Sequence, residues 1–194
     1  YQKIVKFRNL KELGDRVSPH SYRILKKDCL DLPDKVYTKR EVELSDEQKK
    51  AYGEMKANAM SVLKGQSMTA VNVLTQLIRL HQITCGHMKT DSSEIFDLKN
   101  NRLDELIQIL GETSGKVIIW ANYIHDIEAI EKMIKKEFGD ESCCTYYGAT
   151  ATEDRQKCIN KFQDPDSELR FFIGNTQTGG YGITLTEAST VIYY

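Results

Sequence analysis

Nine consecutive residues carry the densest set of ligand-capable groups in the chain. Gly174-Asn175-Thr176-Gln177-Thr178-Gly179-Gly180-Tyr181-Gly182 holds four glycines, two threonine hydroxyls and two side-chain amides directly behind an apolar run. Glycines let a backbone approach a ligand closely, while exposed N–H groups and hydroxyls bind phosphate oxygens. The spacing is neither GxGxxG nor a lysine-bearing phosphate loop, so a tightly turned loop is the equal alternative. Nothing in the chain matches GxxxxGK[ST]. By itself, therefore, it does not hold a nucleoside triphosphate through the usual loop lysine.

Other candidates have simpler accounts. His81 and Cys85 stand four apart on one helical face, with His87 two further on. A fourth ligand is missing nearby, and incidental residues at a helix end explain the group better than a metal does; no metal site is read here. Asp46-Glu47 resembles an acidic Mg²⁺ box, but it follows Ser45 and precedes Gln48, which is a helix-capping box. Cys143 and Cys144 fall in a predicted strand and point to opposite faces, so both read as packing residues. Trp120 and Tyr123 end a buried strand and also read as packing. Arg155 could reach a phosphate, or pair with Asp154 or Glu153.

These residues need elements to position them. Lys35 to Leu44 alternates polar and apolar residues and predicts a half-exposed strand. Helices are expected over 46–63 and 69–84, and residues 91–97 form a polar connection. From 98 the pattern changes. A helix over 98–110 is closed by Gly111, a strand covers 116–120, and a helix over 124–138 is closed by Gly139. A strand then covers 142–147, and a helix over 152–162 has Thr152 as its N-cap. Strands cover 169–173 and begin again at 191. Apolar strands alternating with helices of about 10–15 residues indicate parallel βαβ units. The expected fold class is α/β, with domains at 1–97 (basic and mainly helical) and 98–194. In such sheets ligands bind beyond the carboxyl ends of the strands. There the loops 121–123, 147–150 and 174–186 come together.

The chain has 194 residues and a net charge of -1, which argues against a wholly basic nucleic-acid binder. The average hides a division. Residues 1–90 hold 17 basic and 10 acidic residues, and residues 91–194 hold 10 and 18, giving +7 and -8. A basic first half suits an anionic partner, although on charge alone solvated helix faces are the better account. No apolar run approaches the roughly 18–20 residues that span a bilayer. Five cysteines without a CxxC read as reduced thiols of a cytoplasmic protein. The absent initiator Met, and the stop inside Val191-Ile192-Tyr193-Tyr194, lead us to expect a fragment of a longer protein.

The order of the stretches is more specific than any one of them. Residues 116–123 (KVIIWANY), then Tyr147-Gly148-Ala149-Thr150 with Arg155 and Phe162, then Gly174 to Thr186 with Ala188 and Ser189, resemble the second motor lobe of Swi/Snf-type ATPases of helicase superfamily two. Ser21 to Lys27, Leu32-Pro33-Asp34-Lys35, Ser45 to Tyr52 and Leu77 to His87 resemble the basic and helical segments that lead into that lobe. The resemblance implies a RecA-like parallel sheet flanked by helices. It also implies a parent that hydrolyses ATP with Mg²⁺ while tracking along duplex DNA.

Carried over residue by residue, the resemblance gives Asn122, Tyr123, Gly148, Arg155, Asn175, Thr176 and Gln177 to nucleic-acid contact. It gives Gly179, Gly180 and Gly182 to the ATP-facing interface, and no catalytic residue to this chain. Thr178 stands where Ala is usual and Thr184 where Asn is usual. That pattern is nearer to bacterial and bacteriophage members, and implies the cytoplasm of a bacterial or phage-infected cell. The partner implied beside DNA is a first motor lobe carrying the phosphate loop, and the arginine-rich motif beyond the last strand is expected to be missing. The other reading is a nucleotide or sugar-phosphate binding module of a transferase, and a third is a non-enzymatic scaffold.

Overall fold

Val117, Ile118, Ile119 and Phe171, Phe172, Ile173 are runs of β-branched and aromatic residues, which suit strands covered on both faces. They form the middle of a four-stranded, all-parallel sheet. The computed structural model describes residues 8–25, 29, 31, 33–65, 70–90 and 94–194. Lys26, Lys27, Leu32, Thr69 and residues 91–93, which the sequence reading used, lie outside the described residues. The chain divides into two units, 1–40 and 41–194.

In the first unit, helix α1 (Leu10–Val17) passes into a 3-10 turn at Ser18–His20, and neither contains a buried residue. In the second, helices α2 (Asp46–Gly65) and α3 (Ala70–Cys85) pack together, and a hairpin of β1 (His87–Lys89) and β2 (Ile95–Asp97) follows. Next come α4 (Arg102–Glu112), β3 (Lys116–Trp120), α5 (Ile124–Phe138), β4 (Cys143–Tyr146) and α6 (Thr152–Gln163). The series ends with β5 (Phe171–Gly174), the four-residue helix α7 (Thr176–Gly179) and β6 (Ala188–Tyr193). Across the sheet the order is β4-β5-β3-β6.

Alternation along β3 divides the core between the two faces. Val117 and Ile119 join Leu106, Leu110, Ile127, Ile130, Ile134, Phe171 and Ile173 on one side. Ile118 joins Tyr146, Cys158, Phe162, Leu169 and Phe172 on the other. Lys116 is 9% exposed, and its ammonium donates to the carbonyls of Phe162 (2.8 Å) and Asp164, closing the end of α6. Its charge therefore meets the negative end of a helix rather than an apolar wall.

The capping box forms as read: Gln48 N–H donates to Ser45 Oγ at 3.1 Å, and Ser45 N–H donates to Gln48 Oε1 at 3.0 Å. Several local readings need correction. Residues 33–45 form no strand; an alternating pattern becomes a strand only when another strand pairs with it. The polar stretch before Leu98 supplies β2, because Gly86 turns α3 back and the Gly86 carbonyl accepts from Leu98 N–H at 2.9 Å. Gly111 lies inside α4, which ends at Glu112, with Thr113 Oγ1 donating to the Ile109 carbonyl at 2.7 Å. Thr152 is the first residue of α6 rather than its cap; Ala151 holds the cap position without a side-chain bond.

The five-thiol reading is also overturned, since Cys144 is joined to Cys158 while Cys29, Cys85 and Cys143 remain free. The strand's alternation supplies the reason. Cys143 turns into the first core face, whereas Cys144 turns toward α6, with its Cα 5.9 Å from that of Cys158, inside the range a disulfide spans.

Candidate nucleic-acid interface

The register of the sheet decides where the loops go. Trp120 and Tyr146 both lie opposite Gly174, and Trp120 opposite Tyr193. The carboxyl ends of all the strands therefore finish level. Ladder bonds continue past them: Ala121 N–H donates to Gly174 O at 2.9 Å, and Asn175 N–H to Tyr146 O at 3.1 Å. Asn122, Tyr123, Gly148, Asn175, Thr176 and Gln177 consequently share one rim.

Asn175 binds two of the loops together. Its Oδ1 accepts from Gln177 N–H at 2.8 Å, capping α7, and its Nδ2 donates to Asn122 O at 2.9 Å and Ala121 O at 3.3 Å. Thr176 is half-buried, while Gln177 and Asn122 are exposed. Tyr123 is half-buried, its hydroxyl 2.8 Å from His81 Nδ1 and its ring edge-on to His87 at 4.9 Å. Burial, with Cys85 and Asp126 nearby, pushes the Tyr123 phenol above its ordinary value.

Arg155 serves the third loop. Its Nη2 donates to the carbonyls of Tyr147 and Gly148, both at 3.0 Å, and its guanidinium stands 5.6 Å from the Tyr146 ring. Arg155 therefore bonds backbone carbonyls, and Asp154, one of the two acids considered for it, is paired with Lys157 at 3.1 Å. Arg155 thus holds the Gly148 turn from within, while Gly148 itself is exposed. Tyr147 N–H donates to Thr150 Oγ1 at 3.1 Å and completes that turn.

The glycines assigned to the ATP side divide by cause. Gly179 is buried, and a Cβ there would stand 2.8 Å from the Trp120 ring. On Gly180, a Cβ would collide with the Thr176 carbonyl oxygen. Gly182 has open space around it but φ +77°, a conformation that favours glycine. Gly180 and Gly182 are exposed on the rim. Trp120 packs on Phe172 (6.0 Å between centroids), in agreement with its reading as a packing residue.

With this geometry the comparisons with known proteins are specific. A model of the helicase conserved C-terminal domain matches residues 98–194. The chain belongs to that family. Among curated relatives, an uncharacterized ATP-dependent helicase of Mycoplasma genitalium is 27% identical over 191 residues, covering 96% of this chain and 18% of the relative. A CHD3-type chromatin-remodeling factor of Arabidopsis thaliana is 30% identical, covering 100% of this chain and 17% of that protein. The chain thus spans less than a fifth of the length of either.

Among solved structures, the Sulfolobus solfataricus SWI2/SNF2 ATPase core in complex with dsDNA is 25% identical, with a TM-score of 0.65, over 94% of this chain and 40% of that one. The C-terminal domain of the SWI2/SNF2 ATPase from the same organism shares the fold, with a TM-score of 0.60 over 78% of this chain and 68% of that domain. The parallel sheet flanked by helices matches the RecA-like C-terminal lobe of SWI2/SNF2 ATPases in fold, as expected from the sequence. The transferase reading is not favoured.

Sequence reasoning missed two arrangements. It gave Asn175 a ligand contact, but not its bridge to the Ala121-Asn122 loop. It also grouped His81, Cys85 and His87, whereas the structure takes His87 to His125 and Asp126, with His87 Nδ1 3.3 Å from Asp126 Oδ1. His87 lies in β1, whose pairing with β2 the sequence pattern does not display.

Proposed function

We propose that this chain is the second motor lobe of a DNA-dependent ATPase that tracks along duplex DNA, with residues 98–194 as the lobe and residues 1–97 as its basic, mainly helical lead-in. The observation that carries the reading is the level register of Trp120, Tyr146 and Gly174, which sets Asn122, Gly148 and Asn175–Gln177 on a single rim. The likeness to a SWI2/SNF2 core in complex with dsDNA supports it. In this reading Thr176, Gln177, Asn122, Tyr123 and the Gly148 turn face the DNA backbone. Arg155 and Asn175 hold those loops in place.

ATP with Mg²⁺ is the fuel of the parent. Gly180 and Gly182 offer an open backbone to a nucleotide, and Gly179 keeps that loop seated on Trp120. Residues 174–186 contain no Asp, Glu, Lys or Arg. Phosphoryl transfer needs metal ligands and cations around the phosphates, so these come from a first motor lobe, the proposed partner. The chain alone is inactive. Thr178 and Thr184 carry the assignment to a bacterial or phage-infected cell, and thus to its cytoplasm.

The test uses fluorescence anisotropy with labelled duplex DNA. Binding is expected at low salt and falls steeply as salt rises, because phosphate contacts release counterions. The pair Thr176→Ala, Gln177→Ala is expected to weaken binding about tenfold, as loss of roughly 1.4 kcal/mol of contact would. ATP turnover by the chain alone, or unchanged DNA affinity in the double variant, overturns the proposal. Micromolar nucleotide binding by the isolated chain would favour the transferase module instead.

A further inference from the structure

Behind Tyr123, away from the rim, four titratable groups converge from three elements: His87 in β1, Asp97 at the end of β2, and His125 with Asp126 in the first turn of α5. Asp126 Oδ1 lies 3.3 Å from His87 Nδ1 and 3.9 Å from His125 Nδ1. The ligand-capable atoms of His87, His125 and Asp126 all fall within 4.8 Å of one another. The side chains of His87 and Asp126 are 3% and 4% exposed, and that of His125 is 26% exposed.

Both Nδ1 atoms are buried and make no hydrogen bond. Buried polar atoms are ordinarily hydrogen-bonded, so two unbonded imidazole nitrogens beside one buried carboxylate call for an explanation. His125 adds a second observation. Its Nε2 stands 2.8 Å from Asp97 Oδ1. An imidazole that donates one N–H to a carboxylate presents a lone pair at its other nitrogen, which is how metal-bound histidines are oriented.

We propose that His87, His125 and Asp126 bind a Zn²⁺ ion, with Asp97 orienting His125. Zinc takes histidine nitrogen and carboxylate oxygen at about 2.0–2.2 Å in tetrahedral sites, which sets neighbouring ligand atoms about 3.3 Å apart. The His87–Asp126 edge already has that length. The remaining edges close when the half-exposed His125 ring rotates inward. Two nitrogens, one oxygen and no thiolate suit Zn²⁺ better than the oxygen-seeking Mg²⁺ or Ca²⁺, or the sulfur-seeking Cu(I). Three protein ligands leave the fourth position to water. Such an ion ties the β1–β2 hairpin to the start of α5 and backs the ring of Tyr123, which stands edge-on to His87 at 81°. It braces the Ala121–Tyr123 loop. This assignment is independent of whether the rim binds DNA.

The experiment is a calorimetric titration of chelator-stripped, tag-free chain with ZnCl₂, followed by Co²⁺ substitution read from its visible spectrum. One ion per chain and a tetrahedral Co²⁺ spectrum are expected. Asp97→Asn should weaken binding about 10–100-fold, the usual effect of losing a carboxylate behind a ligating histidine. His125→Ala should abolish the site. Both changes fall on residues with solvent exposure, and Trp120 fluorescence reports whether each variant remains folded. Absence of binding tighter than about millimolar, or stoichiometric binding that survives His125→Ala, overturns the proposal. So does an imidazole–carboxylate network whose histidine resonances respond to pH and not to Zn²⁺.

Discussion

Replacing Asn175 separates two jobs that one side chain performs. Asn175→Ala removes the acceptor that caps α7 and both donors that hold the Ala121-Asn122 loop. An N-cap is worth about 1 kcal/mol. The two bonds to partly exposed carbonyls together add about 1 kcal/mol, because water replaces much of what is lost. The expected cost is therefore about 2 kcal/mol. Asn175→Ser keeps a short side-chain oxygen for the cap but cannot reach Asn122, so it should cost only about 1 kcal/mol.

Urea unfolding followed by Trp120 emission measures both variants, and Trp120 is the single tryptophan of the chain. In a domain of this size the alanine variant should melt about 4–8 °C lower and the serine variant about 2–4 °C lower. Equal losses in the two variants would show that the cap contributes nothing. An alanine variant within about 0.5 kcal/mol of the parent chain, the range of an ordinary surface change, would refute the bridge as well.

Two further outcomes follow from packing and from burial. Gly179→Ala pushes a methyl into the Trp120 ring; overpacking of this kind costs about 1–3 kcal/mol, and a lower melting midpoint with shifted Trp120 emission would record it. Burial pushes the Cys143 thiol from 9.0 up to about 11, and raises the Cys85 thiol and the Tyr194 phenol. A hydrogen bond to Glu131 raises Lys135. Each group holds its proton more tightly when folded, so stability is full below the unfolded value and is lost as pH rises through the folded one. The melting midpoint should therefore fall between about pH 9 and pH 11, and a flat profile there would contradict the burial of these groups.

The sequence made the α/β half readable because its signals are local and agree with one another. Val117-Ile118-Ile119 is too apolar for a surface strand, and the pattern of α5 changes to helical spacing before Gly139 ends it. Where a signal was local but its partner was not, the reading failed. The alternating residues at 35–44 had the composition of a strand, but they pair with none of the described strands. Residues 95–97 lacked a strong pattern and still paired with β1, since Gly86 at φ +92° reverses the chain there. Pairing in a sheet depends on what lies alongside, and a single strand does not display that in its own residues.

The same distinction separates the rim from the cluster behind it. The three rim loops were legible because a parallel sheet delivers every strand's carboxyl end to one side, so topology alone gathered Asn122, Gly148 and Asn175. Which of them contact a ligand and which hold the others was not legible. Arg155 looks from the sequence like a phosphate reader, and in the fold its Nη2 is occupied by two carbonyls of the loop it supports. The glycines divide in the same way: Gly179 is glycine because of Trp120, and Gly182 because of its backbone angle. A motif thus mixes residues that meet the ligand with residues that shape the loop. Only the side-chain partners tell them apart: Asn175 and Arg155 bond other loops of the protein, while Gln177 and Asn122 are exposed.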